Sequence, residues 1–163
     1  MIYFSFIYWI FVSLQYELKD RGVFILINLD EIYELFTWDR TYTDEEYDAR
    51  VNKGITEAIK SKNIYPFIQP IIVPAEKSKA VWEPCAMVVS KKTDTELKQY
   101  VYLLFEWLKD MNWPGAWIIF DRLLKMPFSE IEEEYSYCRK QAEREKDELW
   151  IMALDDFKRA VKK

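Results

Sequence analysis

Trp107–Trp117 reads W-L-K-D-M-N-W-P-G-A-W, which places three of the seven tryptophans within eleven residues, around the sole Pro-Gly pair. Proline presets a helical φ and lacks the N–H that a first helical turn leaves unpaired anyway. The segment therefore reads as the end of one helix, a tight corner and the start of the next. Trp107 and Trp117 are expected in the core. Asp110 and Asn112 are placed to accept from unpaired N–H groups at the start of the following helix. Trp113, immediately before Pro114, is the one expected partly exposed and in reach of a partner, since interface hot spots favour tryptophan. The competing expectation is that all three tryptophans lock neighbouring helices together.

Outward from this corner, helix-start signals recur. Thr43-Asp44-Glu45-Glu46, Thr93-Asp94-Thr95-Glu96 and Ser129-Glu130-Ile131-Glu132 each set a hydroxyl three residues before a carboxylate, the pattern of a capping box. The first predicts a helix toward Lys62 with Tyr47, Val51, Ile55, Ala58 and Ile59 inward. The second predicts a helix to about Asp110, and the third a helix behind Pro127 with Phe128 as a staple. Asn28 or Asp30 can cap a short helix carrying Leu29, Ile32, Tyr33, Leu35 and Phe36 at helical spacing. Pro66, Pro70 and Pro74 mark residues 63–78 as a connector with at most a turn of helix.

Trp82, Trp117 and Trp150 lie 35 and 33 residues apart, each near a helix start. With the helices opened at Thr93 and Ser129, they outline helix pairs of about 34 residues, which must stack to bury their apolar faces. The expected fold is all-α: a single-domain, short right-handed α-solenoid of HEAT-like pairs. If Trp117 fills the repeated core position, Trp117→Ala should cost about 3–5 kcal/mol.

At 163 residues, 50% hydrophobic, the chain can bury one substantial core. Cys85 and Cys138 show no framework or metal spacing, and read as small core thiols in a reducing, cytoplasmic setting. The net charge of −5 is concentrated: Asp30, Glu31, Glu34, Asp39, Asp44, Glu45, Glu46 and Asp48 face only Arg40 and Arg50 between residues 28 and 50. That balance excludes nucleic acid as a partner, because no basic stripe exists to displace counterions. Asp30, Glu34, Asp39, Asp44 and Asp48 could steer a basic protein partner; as a plain solvated helix surface they would need no partner.

Residues 1–27 form an apolar N-terminal extension ahead of a helical-repeat domain at 28–163. Met1–Val12 is almost wholly apolar but too short to span a bilayer, which takes about 20 residues. It fits a packed helix, a hairpin turning at Lys19–Gly22, or a segment outside the native protein. The last is favoured: Asp20-Arg21-Gly22-Val23 can be encoded by purine-rich codons like a ribosome-binding site, with the start near Leu26.

V-W-E-P-C-A-M-V-V at 81–89, T-D-T-E-L-K-Q-Y-V at 93–101 and F-E-W-L-K-D-M-N-W-P-G-A at 105–116 carry a resemblance. The chain resembles a bacterial domain family of undefined function whose hallmark is a helix ending in W-L-x-D-M-N-W-P. The resemblance spans about residues 28–161 and is strongest over 81–126. It implies a short HEAT-like solenoid, and a small accessory protein such as the immunity proteins kept beside secreted toxins.

No residue argument points to catalysis. The chain has no histidine, so the commonest general base and metal ligand is missing. It has no Gly-rich phosphate loop and no nucleophile elbow, and no cofactor is implied. The acid pairs Glu106/Asp110 and Glu130/Glu134 are four apart and expected on one helix face, where solvation explains them. Cys138 beside Arg139 could have a lowered pKa. The functional expectation is a non-enzymatic protein that binds a protein partner. The alternative is a membrane-peripheral accessory protein attached through residues 1–12.

Overall fold

The computed structural model of the chain describes residues 28–68 and 79–162, and every regular element among them is helical. The expectations for residues 1–27 and for positions 69–78 of the connector lie outside the described residues.

Helix α1 (Leu29–Phe36) is capped by Asn28, whose side chain accepts from the Asp30 N–H, and it buries Ile32, Tyr33 and Phe36. Helix α2 (Asp44–Ala58) opens on the Thr43–Glu46 capping box: Thr43 Oγ1 accepts from Glu46 N at 3.2 Å, and Glu46 Oε2 from Thr43 N at 2.9 Å. The two helices meet at Gly54, where a Cβ would stand 2.7 Å from the Phe36 ring. α2 stops at Ala58 instead of running to Lys62, and Ile59 is exposed. A 3-10 turn at Tyr65–Phe67 is the short helical piece allowed to the connector.

Beyond it come α3 (Trp82–Ser90) and α4 (Asp94–Leu97), the latter opened by the Thr93–Glu96 box. A 3-10 turn at Lys98–Tyr100 then leads into α5 (Val101–Trp107). The chain turns the corner into α6 (Ala116–Leu124), then α7 (Phe128–Glu145) and α8 (Glu148–Val161). The third capping box does not form: α7 begins at Phe128 with Pro127 as its N-cap, so Ser129 already sits inside the first turn.

Burial shows why. Leu97, Val101, Leu104 and Leu108 line the inner face of the stretch through α4 and α5, while Ile131, Tyr135, Cys138 and Ala142 line that of α7. Each matches its counterpart 34 positions on, and so do the N-caps Thr93 and Pro127. The same register governs the other helices. Trp82, Cys85, Ala86 and Val89 in α3 are matched by Ala116, Ile119, Phe120 and Leu123 in α6, then by Trp150, Ala153, Leu154 and Phe157 in α8, all buried. These are the i, i+3, i+4, i+7 positions of a helix face.

This register corrects the expectation for Trp117. The inward position of α6 belongs to Ala116, 34 residues from both Trp82 and Trp150. Trp117 is one residue further round the helix and 61% exposed. The tryptophan spacing of 35 and 33 therefore brackets the true period without marking it. Trp82, Trp107 and Trp150 are buried as expected.

The corner is held by its own backbone. Trp107 Nε1 donates to Pro114 O at 3.2 Å, which satisfies the buried indole, and Trp113 N donates to Asp110 O at 2.9 Å. Pro114 is not the first helical residue. Gly115 is the N-cap, with φ +81°, and a Cβ there would lie 2.5 Å from the Ala86 Cβ. A left-handed φ and contact with α3 together demand glycine. Asp110 acts within the turn, its Oδ1 accepting from Asn112 N at 2.8 Å and Asn112 Nδ2 at 3.0 Å; neither side chain serves the first turn of α6.

α1 packs on α2 and α2 on α3; α3 packs on α6, and α5 lies against both α6 and α7; α8 closes on α7 and α6. One continuous core runs through the described residues from Ile32 to Phe157, a single domain.

Candidate partner-binding surface

The acidic region is confirmed as surface. Asp30, Glu31, Glu34, Asp39, Asp44, Glu45, Glu46 and Asp48 are all exposed on α1, α2 and their connection. Among the described residues none of these eight carboxylates is in an ion pair. Several instead serve the backbone. Asp39 accepts from the N–H and hydroxyl of Thr41, which holds its carboxyl below the ordinary range. Arg50 donates to the Glu34 carbonyl and covers the Tyr42 ring. Trp38, half exposed, projects from the same connection.

At the corner, Trp113 is half-buried. Its ring meets Trp82 edge to face at 5.5 Å, and Lys79 Nζ stands 5.3 Å from the Trp82 ring and 5.7 Å from that of Trp113. That packing favours a locking role. Trp117 takes the exposed position, touching Phe120 across 5.5 Å. Leu149 and Met152 on α8, which packs against α6, are 58% and 57% exposed.

Sequence reasoning missed a buried cationic pair. Lys92, in the turn after α3, is buried and its Nζ donates to Ile59 O at 2.7 Å, Ser61 O at 2.6 Å and Glu96 Oε1 at 3.2 Å. It thereby caps the carbonyl end of α2, where a helix carries partial negative charge. Arg122 on α6, also buried, donates to the Lys92 carbonyl at 2.8 Å and to Asp94 Oδ1 at 2.5 Å. Two cations and the carboxylates of Asp94 and Glu96 thus join α2, the α3–α4 turn and α6. Neither Lys92, in the polar run Ser90–Thr93, nor Arg122, a lone cation beside Asp121 in α6, gives a sequence signal of which carbonyls will bury it.

Of the two acid pairs, Glu130 and Glu134 lie one turn apart on α7 as expected, but Glu106 and Asp110 do not share a helix. Glu106 on α5 takes hydrogen bonds from Tyr102 and Lys109, whereas Asp110 lies past the helix end in the corner. Cys138 is a correction too. Its neighbour Arg139 points elsewhere, to Asp155 and Glu143, while burial first and the Glu106 carboxylate second push the thiol up to about 12.

A thiol ionises less readily in the fold than in the unfolded chain, where its ordinary value is 9.0, so its contribution to stability is complete below pH 9 and is lost as pH rises toward 12. Iodoacetamide at pH 8 should leave Cys138 unmodified in the native chain and alkylate it in urea. Rapid native alkylation, read by peptide mass, would show the thiol to be accessible.

The fold is thus that of a one-domain helical protein. The chain belongs to the family described as Domain of unknown function (DUF5071), which matches residues 73–159, just over half its length. The matched segment begins ahead of α3, contains the Trp107–Trp117 corner and ends within α8, so α1 and α2 stand outside it. No curated protein and no solved structure matches.

Proposed function

We propose that this chain is a non-catalytic helical-repeat protein that binds a protein partner, with immunity to a cognate toxin as the specific role. The observation that carries this reading is Trp117. A domain with this much buried apolar surface leaves a whole indole 61% exposed at its second-last helix layer. Exposed tryptophans near other apolar side chains are the anchors that interfaces use.

The packing order supports a two-layer solenoid. α2, α5 and α7 take the first place in successive pairs, α3, α6 and α8 the second. Contacts run within each pair, between α5 and α7, and from α3 through α6 to α8. The 34-residue burial register is what stacked pairs of equal size require. No described helix is long and apolar enough to cross a bilayer, and the membrane-peripheral alternative rests on residues 1–12, outside the described residues.

The test is capture by the tagged full chain from its native host, followed by reconstitution with the purified captured protein. The expected outcome is one stoichiometric partner, encoded beside the chain's gene, whose affinity falls at least tenfold with Trp117→Ala. A captured protein indifferent to that substitution contradicts the assignment of Trp117.

A further inference from the structure

We propose that the seam between α5 and α7 receives a cationic side chain, an arginine or lysine on a basic segment of the protein partner. The inference rests on the protein-binding reading above and names the chemistry of the bound segment.

The seam is built around two tyrosines. The Tyr102 hydroxyl donates to Glu106 Oε1 at 3.0 Å and Gln141 Oε1 at 3.2 Å, which fixes its ring between the helices. Tyr137, more than half exposed, meets that ring edge to face, with centroids 5.5 Å apart and planes at 71°. The two rings line a shallow depression of about 420 Å³ together with Glu133 and Glu134. Neither glutamate has a hydrogen bond or ion pair among the described residues, unlike Glu132, which pairs with Lys158.

Two unspent carboxylates beside an aromatic corner are complementary to a cation. The ring faces attract positive charge through their quadrupoles, and the carboxylates neutralise it. Burial first and the Glu106 carboxylate second push the Tyr102 hydroxyl above its ordinary range. The polarity of α7 sets the direction of approach. Glu130, Glu132, Glu133 and Glu134 precede Tyr137, while Lys140 and Arg144 line its other side with Glu143. A cation is drawn to the N-terminal side of Tyr137 and kept off the C-terminal side. The wall is ordered in advance, because Tyr102 is already pinned, so binding costs little side-chain entropy there.

The test is titration of the full chain with acetylated, amidated tetra-arginine, followed by calorimetry at low and at high salt. Glu133→Gln/Glu134→Gln should weaken binding about tenfold and Tyr137→Ala about threefold. Asp121→Asn/Glu148→Gln, two exposed acids on α6 and α8, should leave it unchanged. All these side chains lie at the surface, and circular dichroism with thermal melting checks each variant's fold. The proposal is overturned if either seam variant binds as the parent does, or if the Asp121/Glu148 variant takes the loss. Either result leaves Trp117-dependent partner capture standing; loss of that capture with tetra-arginine binding intact would sink the function instead.

Discussion

Trp150→Ala should remove about 3–5 kcal/mol of stability, the range for truncating a buried large aromatic. Trp150 is fully buried at the inward position of α8, and its Nε1 donates to Phe105 O at 2.9 Å, tying α8 to α5. Lys109 Nζ lies 4.3 Å from the ring centroid on one side. The void left by alanine would border α5 and α8, and neither can collapse into it: Phe105, Tyr135 and Phe157 already pack ring against ring. A midpoint shift in urea at constant m-value is the expected signature. A loss under about 1 kcal/mol would mean that the 34-residue register does not describe the core, since a true core indole costs several times that.

Arg122→Ala should cost about 3 kcal/mol, at the low end for breaking a buried ion pair. The guanidinium is buried and makes its bonds to the Lys92 carbonyl and to Asp94. Asp94 is 40% exposed on its side chain and can rehydrate, which keeps the loss from the upper end. The Lys92 carbonyl has no such recourse, and a buried acceptor left unmade carries its desolvation cost. Arg122→Lys should recover only part of the loss, because an ammonium cannot reproduce the forked contact to carbonyl and carboxylate. Equal stability of Arg122→Ala and parent in urea would show that α6 docks without this link.

The sequence announced the helices more reliably than what they bury. Two capping boxes formed because Thr43 and Thr93 each face a glutamate with nothing competing for the N-cap. At Ser129 the same spelling failed: Pro127 takes the cap two residues earlier, in register with Thr93. Trp117 misled because a conspicuous side chain outweighed a quiet one. The alanine beside it holds the repeating inward position, and the face pattern of Ala116, Ile119, Phe120 and Leu123 was legible without any tryptophan. Cys138 misled because adjacency in sequence places Arg139 about 100° away on a helix. Lys92 and Arg122 were not legible at all, since their burial depends on carbonyls brought in from α2 and from the α3–α4 turn.

Of the surface proposed for a partner, the acidic charge was legible and the exposed tryptophan was not. Acidic exposure at Asp30, Glu34, Asp39, Asp44 and Asp48 followed from composition alone. The exchange of roles between Trp113 and Trp117 did not, because it turns on a single residue of helical phase. Trp113 gains a partner only when the corner folds back on α3 and sets it against Trp82.

That exchange is the central claim, and the urea unfolding of Trp117→Ala tests it most directly. An indole standing mostly in solvent and touching Phe120 should be dispensable to the fold, with a loss below about 1 kcal/mol and an unchanged m-value. A loss of about 3 kcal/mol or more would return Trp117 to the core and contradict the register built on Ala116.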